Sequence, residues 1–343
     1  MTPVGMTTLV PIEVLFAASC QPLDMNNVFI ANPRSQHFIE QAELAGFPDT
    51  SCAWLKGIYG AMLAHPEIET IVGVTVGDCS DTHVLMEYVE RLGRRVVPFA
   101  YVRERLGEEI EALMRHFDVS WAEVHEAHQR LQRVRRLVWN IDDATWQPGS
   151  GVSGWDNHYY QVCCSDMGGD METFAPRVRA FEPQQEPINP AGVRLGILGV
   201  PAIFAEDLYR YLETHCGAKV VFNETQRQFS LPFECDMVEQ YARFTYPYGT
   251  KVRLADIQTE LRRRDIHGLI HYTQAFCFRE LTDALIREDL DRPILTITGN
   301  TEKHLSAQLK TRLEAFVDLL ERRRAAPAGG AAAPAAGNTG SAA

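Results

Sequence analysis

Eight cysteines are spread along the chain, and three of them stand where an apolar run gives way to a loop or a helix start: Cys52, Cys79 and Cys277. Cys52 lies in GFPDTSCAWLKGIYG, where Pro48, Asp49 and Thr50 end one segment and a helix is predicted to begin. A thiol there meets the positive end of the helix dipole, which favours thiolate, the form that attacks or ligates. Cys79 follows the predicted strand TIVGVTVGD and precedes a helix starting near Thr82. Cys277 repeats the arrangement after GLIHY, at the start of FRELTDALIRE. Side chains at the carboxyl ends of parallel strands sit on the ligand side of an open α/β sheet. The three thiols are therefore expected to face one cleft between two domains, where metal binding or redox chemistry is open to them. Their separations, 27 and 198 residues, match no local metal signature. Taken singly, each also fits an ordinary buried cysteine. Cys20, Cys163, Cys164, Cys216 and Cys235 have less distinctive settings and are read as structural.

The elements that must position these thiols follow from hydrophobic periodicity. Helix-like EVLFAAS, a strand at 70–77, the helix THVLMEYVERLG and a strand at 95–101 predict an N-terminal α/β domain over about 1–102. Residues 191–222 read as a strand, an amphipathic helix closed by Gly217, and a second strand. Further strands at 268–272 and 293–299, separated by helical ELTDALIRED, extend this to a second parallel α/β domain over 191–324. Between them, Leu106, Ile110, Leu113, Phe117, Val124, Leu131, Val134 and Leu137 follow a heptad-like spacing, and 141–190 is richer in Gly, Pro and Trp. The expected fold class is thus α/β, two parallel-sheet domains joined by a mainly helical connecting domain at 103–190. A final packing helix, SAQLKTRLEAFVDLLERRR, precedes an Ala/Gly/Pro tail at 325–343 that holds almost nothing able to build a core and is expected to be disordered.

Composition narrows the function classes. The 343 residues are 45% hydrophobic and 23% charged, ordinary for a globular chain of two or three domains. Lys and Arg number 33 against 45 Asp and Glu, and the net charge of −12 argues against a nucleic-acid partner. No apolar run reaches the roughly 18 residues of a membrane span, and the start lacks the basic region of a signal peptide. A soluble, cytoplasmic protein is expected. The chain has no G-x-x-x-x-G-K-[ST], no G-x-G-x-x-G after a strand, no G-x-S-x-G and no H-E-x-x-H, which counts against nucleotide hydrolysis, dinucleotide redox, esterase and zincin chemistry.

The segments VPIEVLFAASCQPLD, CAWLKGIYG, VGVTVGDCSDT, VVFNETQRQFSLPF, EQYARFTYPYG, HYTQAFCFRE and KTRLEAFVDLL, spanning about residues 8–322, resemble the 2-hydroxyacyl-CoA dehydratase family, which includes subunits of benzoyl-CoA reductase. The resemblance implies a 4Fe-4S cluster held by Cys52, Cys79 and Cys277, with one iron left without a protein thiolate and open to the carbonyl oxygen of an acyl-CoA substrate. It implies elimination of water through a ketyl radical, the cluster supplying the power that an acid-base pair lacks. It also implies two partners: an ATP-hydrolysing iron–sulfur activator that injects the electron, in keeping with the missing phosphate loop here, and a second subunit, homologous or identical, in a dimer. An acyl-CoA reductase subunit, or a non-catalytic partner subunit, are the alternatives.

Two departures stand out. Where the family commonly carries an acidic pattern like E-G-D, this chain has Thr298, Gly299 and Asn300. A branch with a double-cubane cluster carries a cysteine just after the strand LGILGV, where this chain has Gly199 and Val200, so a single cluster is expected. Three further residues are candidates for substrate or proton handling. Glu13 matches a family position, though a helix-start carboxylate explains it as well. His271 and Gln274, six and three residues before Cys277, are placed to bond a cluster sulfide or the acyl oxygen, and a satisfied core histidine fits equally. Lys56 and Arg279 follow their cysteines and can balance cluster charge or meet CoA phosphates; a solvated helix charge is the plainer reading. Tyr246, Pro247 and Tyr248 suggest an aromatic turn beside an acyl pocket, or simple core packing.

Overall fold

Eight strands, most of them short runs rich in β-branched and aliphatic residues, form in the computed structural model, which describes residues 1–326. The first four are β1 (Thr2–Met6), β2 (Cys20–Asp24), β3 (Thr70–Val76) and β4 (Arg95–Ala100), in the order β2-β1-β3-β4. The second four, β5 (Arg194–Leu198), β6 (Lys219–Asn223), β7 (Gly268–Gln274) and β8 (Ile294–Gly299), repeat that order as β6-β5-β7-β8. Every pairing is parallel. All residues of β6 and β7 are buried, as expected for parallel strands covered on both faces.

In each sheet the chain leaves the first strand toward one edge and then crosses to the other side. The connections therefore diverge between β1 and β3, and again between β5 and β7, which opens a crevice at the carboxyl ends of those strands. The predicted strands at 70–77, 95–101, 268–272 and 293–299 are present, within a residue or two. The helix expected over 201–217 is split: a regular helix, Ala205–Arg210, gives way to a wider π turn, Tyr211–His215, before Gly217 at φ +67°.

Between the sheets, Leu106–Phe117, Trp121–Thr145, Gly154–Val162 and Met171–Arg179 are helical, and no strand occurs. The 25-residue helix Trp121–Thr145 starts with a reciprocal bond between Ser120 and Glu123 and buries Val124, Leu131 and Val134 against the first sheet. Phe229, Leu231, Met237, Tyr241 and Phe244, from beyond β6, enter that same core. The C-terminal end of the long helix is tied to the second sheet by ions. Arg264, fully buried, donates to Asp142 at 2.9 and 2.5 Å, to Glu260 at 2.5 Å and to the Val221 carbonyl at 2.8 Å. Burial alone would raise the Asp142 carboxyl, but Arg264 and Arg227 outweigh it and hold it at about 2. The tail expected at 325–343 lies outside the described residues except for Ala325, which ends the helix Ala307–Ala325, and Ala326.

Candidate functional site

Each of the three cysteines is set by a local backbone device. Cys52 is the N-cap residue of the helix Ala53–Ala64. Cys79 follows the turn at Gly77, whose φ of +95° bends the chain off β3, and its carbonyl accepts the Thr82 amide at 3.1 Å. Cys277 follows Phe276, also at positive φ (+64°), donates its amide to the Gln274 carbonyl at 3.1 Å and caps the short turn Phe278–Leu281. The positive φ values are the conformations a sharp exit from a strand requires.

All three thiols line one cavity of about 620 Å³, and Cys163, expected to be structural, stands in the same wall. Its wall takes residues from the carboxyl ends of both central strand pairs: Thr7 and Thr8 after β1, Asp78 and Cys79 after β3, Val200 and Pro201 after β5, Gln274 and Cys277 at β7. The crevices of the two sheets thus open into a shared space. Backbone N–H groups face each sulfur: those of Trp54 and Leu55 at Cys52, of Asp81 at Cys79 and of Arg279 at Cys277. They favour thiolate, yet burial outweighs them. Cys52 is pushed up to about 11 and Cys79 to about 12, and Cys277 is raised, with Cys277 and Asp78 adding repulsion at the other two. A cationic group shared by the three sulfurs would relieve both burial and repulsion.

The donor set fits an iron–sulfur cluster. All three cysteines are free, they come from separate elements, and the cavity they line is roomy. Among the described residues no three His, Cys, Asp or Glu groups converge closely enough to hold a single metal ion. A cubane asks for something wider, since each thiolate binds its own iron. Gly199 bears on the cluster type. At φ +92°, a Cβ there would stand 2.2 Å from the Tyr272 carbonyl oxygen, so no side chain, cysteine included, fits after β5 at that position.

Gln274 lies in the cavity wall, its amide fixed at both ends: the Tyr272 hydroxyl donates to Oε1 at 2.8 Å, and Nε2 donates to Asn300 Oδ1 at 3.0 Å. Asn300, one of the residues that depart from the family's acidic pattern, thus serves as a neutral partner to Gln274. His271 lies behind the wall, in a small void of about 10 Å³ that it shares with Cys277 and Arg253. Its Nδ1 is 2.7 Å from Asp283, and burial lowers its pKa despite that carboxylate. Glu13 is not brought to the cavity. It is fully buried, accepts from Arg135 at 2.6 Å and from Tyr241 at 2.8 Å, and has His128 Nδ1 at 3.2 Å. Burial would raise its pKa, but Arg135 and His128 hold it far below the usual carboxylate range.

Lys56 is neither solvated nor near the thiols' open side; it is buried and paired with Glu43 at 2.7 Å. Arg279 lies over the Tyr246 ring at 4.1 Å and bonds its carbonyl at 2.9 Å. Tyr246 lines the cavity, its hydroxyl 3.3 Å from Asp78 Oδ1. Three cavity acids escaped the sequence reading. Burial raises Asp78 to about 6 against the pull of Arg279. Asp166 is raised to about 7 by burial and by Asp24, which is itself raised by burial. The Asp24 amide donates to Asp166 Oδ2 at 2.9 Å. Asp78 was legible beside Cys79, whereas Asp24 and Asp166 are 142 residues apart and only the fold joins them.

No helix among the described residues is long and apolar enough to cross a membrane. No curated protein sequence matches the chain. The family model described as 2-hydroxyglutaryl-CoA dehydratase, D-component, matches residues 7–320, from the end of β1 into the last helix and across all three cysteine loops. Nearly the whole chain is covered, and it belongs to that family, as a component of a 2-hydroxyacyl-CoA dehydratase-type enzyme.

Proposed function

We propose that the chain is the iron–sulfur subunit of a 2-hydroxyacyl-CoA dehydratase-like enzyme, with Cys52, Cys79 and Cys277 as the protein ligands of a 4Fe-4S cluster. The observation that carries this reading is the convergence of Cys52, Cys79 and Cys277, each faced by backbone N–H groups, on one cavity between two sheets; the fourth free cysteine of that wall, Cys163, comes from the helical segment and pairs with Tyr159 instead. Such a cluster, short of one protein thiolate, supplies an open coordination position and low-potential electron chemistry.

The chain's own residues do the rest. Leu55, Ile58 and Ile203 in the cavity wall exclude water from around an acyl group. Gln274, immobilised by Tyr272 and Asn300, presents a fixed polar surface beside Cys277. Asp166, raised to about 7, holds a proton on its carboxyl in the range where loss of water must move one. His271 positions the end of β7 from behind through Asp283. Glu13 anchors the helix Ile12–Ala17 to the long helix through Arg135. In this reading the protein is cytoplasmic, takes its electron from a separate ATP-dependent iron–sulfur activator and works as a dimer with itself or a homologous subunit. The cluster sits between α/β domains 1–102 and 191–324, joined by 103–190.

The test is iron and acid-labile sulfide per chain after anaerobic purification, with Cys52→Ala, Cys79→Ala and Cys277→Ala alongside. About four of each per chain, lost in every variant, is the expected result. A folded chain without iron overturns it, and about eight irons would point to the double-cubane type instead.

A further inference from the structure

We propose that the acyl group accepted by this cavity is uncharged, an aliphatic or aromatic 2-hydroxyacyl chain, and that a second carboxylate such as that of a glutaryl chain is excluded. This deepens the thioester reading above and rests on it. Four acidic residues line the cavity, Asp24, Asp78, Asp166 and Glu206, against one cation, Arg177. Arg177 is exposed and already engaged, stacked over the Tyr159 ring at 5.7 Å and donating to its hydroxyl. The only other basic side chain in the wall, His158, is held neutral by burial, at about 3. Residues 327–343 contain no Lys, Arg or His, so that segment cannot supply a counter-charge.

The asparagine amides do not make good the deficit. Asn26 Nδ2 is spent on the Thr7 carbonyl at 2.7 Å and on Asp24 at 2.9 Å, and Asn27 Nδ2 on the Ser165 hydroxyl at 3.1 Å. A substrate carboxylate would leave water for a site with four acids, one lining cation already engaged, and Arg279 behind the wall held by Tyr246 and facing Asp78, so its charge would stay unpaired. Even a protonated aspartate brings no positive charge. What the wall does offer is apolar and aromatic surface, Leu55, Ile58, Ile203 and the Trp54 and Trp155 rings among it.

The experiment is a binding titration of the anaerobically purified full chain with 2-hydroxyhexanoyl-CoA, 2-hydroxyglutaryl-CoA and free CoA, followed by tryptophan fluorescence and calorimetry. The expected result is at least tenfold tighter binding of the hexanoyl than of the glutaryl thioester. Val200→Arg, which adds a cation to the wall, is expected to narrow or reverse that ratio. Equal or tighter binding of the glutaryl thioester overturns the exclusion while leaving the thioester reading intact. Binding of neither thioester above free CoA overturns the thioester reading and the exclusion with it.

Discussion

The two sheets share one strand order, yet they contribute unequally to the cavity. Cys79 follows β3 and Cys277 follows β7, the strands in equivalent places, and each comes after a residue of positive φ. The likeness ends at the helix that leads into that strand. In the first half it is Ala53–Ala64, capped by Cys52; in the second it is Thr250–Arg263, capped by Gly249. One half gives two thiols, the other gives one and a bare backbone. An odd number of ligands is what leaves one corner of a cubane free, so the asymmetry between two similar sheets is where the proposed chemistry begins.

The largest effect that sharpens this comparison is on metal content. Cys79→Ala and Cys277→Ala, at matching positions, are expected to lower retained iron more than tenfold and by equal amounts. A large inequality between the two, measured in folded protein, would break the equivalence of the two loops. Next comes stability. Arg264→Ala leaves buried Asp142 and Glu260 with the longer pairs to Arg227, at 3.4 and 3.5 Å, and is expected to cost about 3 kcal/mol in urea unfolding. Arg135→Ala strands Glu13 in the first half in the same way and should cost a similar amount. A loss under about 1 kcal/mol in either would mean that the site had relaxed to admit water.

The turn glycines rank below these. Gly199→Ala must hold φ +92° and push on the Tyr272 carbonyl, while Gly77→Ala must hold φ +95° with its Cβ 2.7 Å from that of Pro247. Each is expected to cost about 1–3 kcal/mol, the former the more because backbone yields less than a ring. The smallest effect is a slope. The carboxyl of Asp166 has its pKa raised on folding, so folding takes up a proton, and its contribution to stability is lost as pH rises from about 4 through about 7. Asp166→Asn is expected to flatten that decline in urea midpoints measured across the range; an unchanged slope would place the titration elsewhere.

Much of this architecture can be read from the residues, but not evenly. β3, β4, β7 and β8 announce themselves because buried parallel strands are near-continuous apolar runs. β1 and β2 do not: TPVGM and CQPLD are five residues each, contain proline, and in the second case end in a helix-capping Asp24. The three thiols were legible through their strand-to-helix contexts and family blocks. Glu13 was legible only as a position, and its burial against Arg135 depends on a helix 122 residues away. From its neighbours Tyr246 fits an aromatic turn or a core, and its place beside Asp78 needs two loops 168 residues apart to meet. Local patterns carry local facts, and the cavity's acids and aromatics are long-range ones.

The passage of Phe229 to Phe244 into the first sheet's core also sets a timetable. A ribosome delivers the chain from its N-terminus, and domains generally fold as they emerge. Here β1 to β4 are complete by Ala100, but the Tyr241 hydroxyl that bonds the Val10 carbonyl and Glu13 arrives some 231 residues after Val10. Until then the nascent first half has an unfilled apolar face and an ion pair missing one of its hydrogen-bond partners. Its two cysteine loops are therefore incompletely framed until the half that carries the third has been made, which puts loading of the proposed cluster after synthesis of the whole chain.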